Sequence, residues 1–189
     1  SQIRDFIISG DINSAKAAMP ESSHFLLSTP FADEKLLERA ILAVLREKDA
    51  DYFSALPDIS EGLDRLFFTA VRKSGTISEL TGNLKSKRYT LARIRRLIFS
   101  AFLGLDNEFF LKKPPYLRIL GFNKKTVKKP FEEKPDCPVL SKAADIEKLN
   151  RNCKMVFGLE AKAADLYALA FKNPHECGLE YKYKIYKGE

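Results

Sequence analysis

Tryptophan is absent from this chain of 189 residues, histidine occurs twice and cysteine three times. Each scarcity removes a class of function. Cys137, Cys153 and Cys177 are spaced too widely for a zinc ribbon or a Cys-x-x-Cys redox pair, and their odd number argues against a disulfide framework. Reduced thiols in a cytosol are the expectation. His175-Glu176-Cys177 gathers metal-ligand types, but nothing lies at finger-like spacing from them, so no metal site is expected. His24 and His175 sit in no catalytic motif, and there is neither a Gly-rich phosphate loop nor a nucleophile elbow. No apolar run approaches the roughly 18–20 residues of a membrane span. Ser1-Gln2-Ile3-Arg4-Asp5 lacks the basic-then-apolar order of a secretory signal. A cytoplasmic protein without a membrane partner is expected. The chain opens on Ser rather than Met, for which a tag remnant or a missing upstream region is the expectation.

What is present is an apolar complement of 45%, enough to bury a core, and a net charge of +7. The charge is not spread evenly. Between Thr81 and Pro130 thirteen Lys or Arg residues face only Asp106 and Glu108, a local net of +11, so the rest of the chain sums to −4. One segment therefore carries the whole excess, the footprint expected of a surface for nucleic acid.

The apolar spacing predicts a mainly α fold: a helical bundle with a small α/β element, of one or two short strands, in the C-terminal third. Three parts are expected: 1–30, two brief helices and a connection that cannot make a core alone; 31–113, a helical RNA-binding domain; and 114–189, a small α/β subdomain. In the second part Leu36, Leu37, Ala40, Ile41, Val44 and Leu45 recur at helical spacing, as do Leu63, Leu66, Phe67, Ala70 and Val71. Thr76 with Glu79 fits a capping box. From Tyr89 to Leu105 the residues Leu91, Ile94, Ile98, Ala101, Phe102 and Leu105 share one side of a helix, with Tyr89, Arg93 and Arg96 nearly opposite and Arg88 and Arg95 on a flank. After Pro114-Pro115, Tyr116–Leu120 alternates as a strand that Gly121-Phe122-Asn123 would end, and Pro138–Ser141 suggests a second, parallel strand. Ala143–Leu149 and Met155–Phe171 are expected to be helical, the latter with Leu159, Ala163, Leu166, Tyr167 and Ala170 inward.

The chemistry present suits phosphate. Lys85, Lys87, Arg88, Arg93, Arg95 and Arg96 supply charge, and arginine can hold a phosphate through two parallel hydrogen bonds. Tyr89 and Phe99 could stack on an unpaired base, while Lys124 and Lys125, followed by Lys128 and Lys129, would extend the track. Roughly seven to ten such contacts make binding steeply salt-dependent. A solvated cationic helix face is the plain alternative.

Several segments together resemble the bacterial tRNA(Met) cytidine acetate ligase family of nucleotidyltransferase-like proteins. They are Ser1-Gln2-Ile3-Arg4-Asp5, Glu61-Gly62-Leu63, Lys87-Arg88-Tyr89-Thr90 with Arg93 and Arg96, Arg118–Asn123 and Ala163-Ala164-Asp165-Leu166-Tyr167. The resemblance implies an enzyme that activates acetate with ATP, with Mg expected, and acetylates the wobble cytidine of elongator tRNA(Met). It also implies that the chain begins inside the last nucleotide motif, giving Ser1, Ile3 and Arg4 an ATP-binding role at a helix start. The first thirty residues would then be the tail of a truncated nucleotidyltransferase domain. The helical part would hold the tRNA anticodon arm. No catalytic residue is expected in this stretch, which alone would be inactive. The alternatives are a nucleotidyltransferase relative with another small substrate and a non-enzymatic helical nucleic-acid-binding module.

Overall fold

The computed structural model describes residues 2–60, 62–106, 109, 113–123 and 136–188. Helices α1 (Gln2–Ser9) and α2 (Ile12–Ala17) form a bent pair around Gly10, whose φ of 79° lies in the left-handed region that an L side chain resists. Asp11 caps α2 by accepting from the Ser14 amide at 3.1 Å. The stretch expected to be a plain connection winds into a 3₁₀ helix, Glu21–Ser28, after Pro20.

Five helices build the main core: α3 (Glu34–Arg46), α4 (Ala50–Ser54), α5 (Leu63–Lys73), α6 (Ile77–Leu84) and α7 (Leu91–Leu103). Apolar spacing explains which sides turn inward. Leu37, Ile41 and Leu45 of α3, Phe67, Ala70 and Val71 of α5, and Ile94, Ile98 and Phe102 of α7 are buried in one cluster. The faces are narrower than the periodicity predicts. Leu36, Leu66 and Leu91 remain exposed: Leu36 lies nearly opposite the buried line of α3, Leu66 at the edge of that of α5, and Leu91 at the first position of α7. Buried Ser74 ends α5 and stays satisfied: its hydroxyl donates to the Ala70 carbonyl and accepts from the Asn83 amide, and its carbonyl accepts from Arg46.

Among the described residues the C-terminal portion holds four short strands where one or two were expected. Strand β1 (Leu117–Arg118) pairs in parallel with β3 (Val139–Leu140), as the parallel expectation for the Pro138 segment anticipated. Gly121–Asn123 does not merely end the first strand; it is β2, paired in parallel with β4 (Tyr186–Gly188). That close approach requires glycine, since a Cβ on Gly121 would stand 3.1 Å from the Tyr186 carbonyl oxygen. Residues 143–148 form a 3₁₀ helix, and α8 runs Arg151–Tyr167, continued by 3₁₀ residues 168–170. A one-turn helix α9 (Leu179–Lys182) precedes β4. Tyr116, Leu140, Ile146, Cys153 and Phe157 make a second apolar cluster.

Helix α8 joins the two clusters. Its first half buries Cys153 and Phe157 against the strands, whereas Leu166 and Ala170, at and beyond its far end, pack on the main helical core. Tyr167, expected inward, is exposed, because the buried line runs through Cys153, Phe157 and Ala161 instead. The Asp33 amide donates to the Ala170 carbonyl at 2.8 Å, and Lys162 donates to the Leu103 carbonyl that ends α7. These contacts fix α8 across α3 and α7.

Candidate nucleic-acid interface

The basic segment reaches the surface in two steps. Lys85 follows α6, and Ser86–Tyr89 closes a tight turn in which the Tyr89 amide donates to the Ser86 carbonyl. Lys87 and Arg88 occupy the middle of that turn and are exposed. Thr90 then caps α7 by accepting from the Arg93 amide at 3.3 Å. Along α7, Arg95 and Arg96 project outward while Ile94, Leu97 and Ile98 turn into the core.

Arg93 and Tyr89 have a different environment from the one helical geometry suggests. The Arg93 side chain is only 26% exposed; its guanidinium lies 3.3 Å from an Asp58 carboxylate oxygen and donates to the Asp58 carbonyl at 2.7 Å. The same guanidinium covers the Tyr89 ring at 5.2 Å, and its buried Nε has no partner among the described residues. The Tyr89 hydroxyl accepts from Ser60 at 3.2 Å, and its ring packs on the main core. Asp58 also approaches Arg96 at 3.7 Å, but that side chain stays 67% exposed. Asp58 has a φ of 61°, a left-handed conformation in a residue other than glycine. This acidic knot between the α4–α5 loop and α7 draws Arg93 inward, and no local sequence signal announces it.

Arg4 lies in a cleft of about 530 Å³ together with Asp5, Glu34, Lys35 and Arg95. Its only described partner is Glu34, at 4.0 Å, so the guanidinium remains accessible to an anion. Ile3 is half-buried on the same helix. The structure thus brings Arg4 of α1 and Arg95 of α7 to one depression. Ser1, Lys124 and Lys125, with Lys128 and Lys129, lie outside the described residues.

Sequence reasoning missed a polar cluster beyond the far end of α7. Arg118 on β1 is flanked by Glu180, in a charged hydrogen bond, and by Glu160 at 3.8 Å. Tyr116 donates to Glu160 at 2.6 Å, and burial, followed by that carboxylate, raises the phenol above its ordinary range. The Arg118 guanidinium also faces the Tyr183 ring at 4.7 Å. Arg118 and Glu180 alone stand 62 residues apart, a separation no local pattern spans. Histidines contribute no chemistry here: the His24 ring bonds to the Lys16 and Met19 carbonyls, and His175 stacks on Phe171. Among the described residues, no three His, Cys, Asp or Glu side chains gather as a metal site, and no helix is long and apolar enough to cross a membrane.

The helical scaffold thus presents a cleft of mixed charge, with Arg4, Lys35 and Arg95 beside Asp5, Asp33 and Glu34, next to an exposed basic helix. The profile of the HIGH Nucleotidyl Transferase family matches residues 1–181, and the chain belongs to that family. Within it the similar curated proteins are tRNA(Met) cytidine acetate ligases. That of Thermoanaerobacter sp. is 28% identical over 99% of this chain and 48% of its own length. That of Kosmotoga olearia is 31% identical over 89% of this chain and 45% of its own length. The fold superposes on Thermotoga maritima TmcAL bound with alpha-thio ATP with a TM-score of 0.89 at 22% identity, covering 100% of this chain and 52% of that one. The apo form of the same protein gives 0.86, with 50% of it covered. The chain spans about half the length of the curated relatives it matches.

Proposed function

We propose that this stretch holds the RNA for an ATP-dependent ligase that forms acetyl-adenylate and transfers the acetyl group to the wobble cytidine of elongator tRNA(Met). The observation that carries the reading is the run of exposed cations, Lys85, Lys87, Arg88, Arg95 and Arg96, on one turn and one helix beside the Arg4 cleft. These five are the phosphate-contacting set, with Lys124 and Lys125 as its extension. Arg93 and Tyr89 support that surface by fixing the α7 entry against Asp58 and Ser60. In the whole enzyme Arg4 meets a nucleotide phosphate, with Ile3 packing behind it and Ser1 preceding it. ATP supplies the activated phosphoanhydride there, and any Mg arrives with the nucleotide's own phosphates. The anticodon arm of the tRNA is the part that lies on α7, because its unpaired bases suit a surface with exposed aromatic groups.

The test is tRNA binding by the chain and by Arg95→Glu/Arg96→Glu at about 50 and about 200 mM salt. The variant is expected to bind more weakly, and its plot of log affinity against log salt to be shallower by about two units. Equal affinities and equal slopes would remove the RNA assignment. The reading with another small-molecule substrate predicts pyrophosphate release by the full-length enzyme that acetate and tRNA leave unchanged.

A further inference from the structure

A cavity of about 700 Å³ opens where α3, α7, β1, α8 and α9 meet. Its size lies within the range of small-ligand sites, and its walls are mostly apolar. Two aromatic rings line it from two helices: Phe99 of α7, 40% exposed, and Tyr167 of α8, 55% exposed and braced edge-on by Phe171 at 5.6 Å. Neither is buried in a core, so each presents part of its ring to the cavity. Arg118, Glu160 and Glu180 line the same cavity as its polar wall. Phe99 also follows Arg95 by one helical turn and lines a second depression together with it, which links the cavity to the cationic helix.

Resting on the RNA reading above, we propose that this cavity receives one unstacked nucleobase of the bound RNA, held between Phe99 and Tyr167. The charge around it selects RNA as occupant. A chain entering from the Arg95 side brings phosphates to cations and places its bases over an apolar mouth, the arrangement by which single strands are commonly held. The polar wall favours a particular kind of base edge. Arg118 meets both Glu160 and Glu180 through one nitrogen, Nη1, so two carboxylates stand against one guanidinium, the wall is net negative, and each carboxylate has acceptor positions left after these bonds. The wall is therefore rich in acceptors and suits a base bearing an exocyclic amine, against uracil, which has none.

The experiment uses the 189-residue chain and three synthetic probes: a stem-loop RNA with an unpaired cytosine loop, the same stem with a uracil loop, and the blunt duplex of that stem. Fluorescence anisotropy is expected to show tighter binding of the cytosine loop than of the uracil loop by about tenfold. Phe99→Ala and Tyr167→Ala should each weaken the cytosine-loop complex about tenfold and leave duplex binding unchanged. Glu180→Gln should reduce the preference between the loops. Both rings are substantially exposed, so thermal midpoints report that the variants remain folded. Wild-type binding of both loops by Phe99→Ala and Tyr167→Ala, while Arg95→Glu/Arg96→Glu binds neither, overturns the base site and leaves the RNA reading standing. Unaltered binding by Arg95→Glu/Arg96→Glu removes the RNA reading itself, and the base site with it.

Discussion

At the scale of single residues, two phenols sit in settings that resist ionisation. Tyr52 donates to the Ala101 carbonyl at 2.6 Å, and burial, then the charge of Asp106, raises its pKa. Tyr116 is raised by burial and by Glu160. In the unfolded chain both ionise near about pH 10, and in the folded protein only above that. The stability they contribute is complete below about pH 10 and drains away as the pH rises through the folded value. Tyr52→Phe and Tyr116→Phe should each flatten the fall of the thermal midpoint between about pH 9 and about pH 11.5, measured by circular dichroism. An alkaline limb as steep as that of the parent protein would contradict this account. The same scale shows what a one-dimensional reading misses. Arg93 and Arg96 share one side of a helical wheel, yet Asp58, 35 residues upstream of Arg93, draws the first inward to 26% exposure and leaves the second 67% exposed. A wheel describes direction; it holds no information about the counter-charge waiting on another element.

Elements were legible wherever one face of a helix meets one core. The stripes of α3, α5 and α7 follow from a spacing of three and four, and the cap of α6 from Thr76, while Asp33 and Thr90 cap α3 and α7. The capping box at α6 differs in one detail: Thr76 accepts from the Glu79 amide, but Glu79 reaches back to the Gly75 amide rather than to that of Thr76. Helix α8 was harder because it serves two cores and changes partner along its length. Its start was placed at Met155, whereas Asn150 caps it by accepting from the Cys153 amide at 3.0 Å. Asn150→Ala should cost about 1 kcal/mol, read as a lower urea midpoint with an unchanged slope. A loss below about 0.3 kcal/mol would mean that the cap is not holding the helix. Strands β2 and β4 were not legible as a pair, since neither contains enough residues to show alternation and each depends on the other for its hydrogen bonds.

At the scale of the molecule, α8 couples two apolar clusters that would otherwise be separate cores. Phe157 is fully buried in the second cluster, and Phe157→Ala should destabilise the chain by about 3–5 kcal/mol. Because α8 also anchors on the helical core, far-ultraviolet dichroism and tyrosine fluorescence should report one coincident urea transition. Two resolved transitions would show that α8 does not couple the clusters. The two parallel pairings differ in a way that bears on time. Leu117 meets Val139 across a short span of chain, but Gly121 meets Tyr186 across one about three times longer. Closing the longer loop costs about 1 kcal/mol more in chain entropy, and contacts of such sequence separation tend to form late. In each folding event the helices that carry the cations should therefore assemble early, and β2 with β4 should close near the end. During that interval the protein would attract any polyanion without yet discriminating among them.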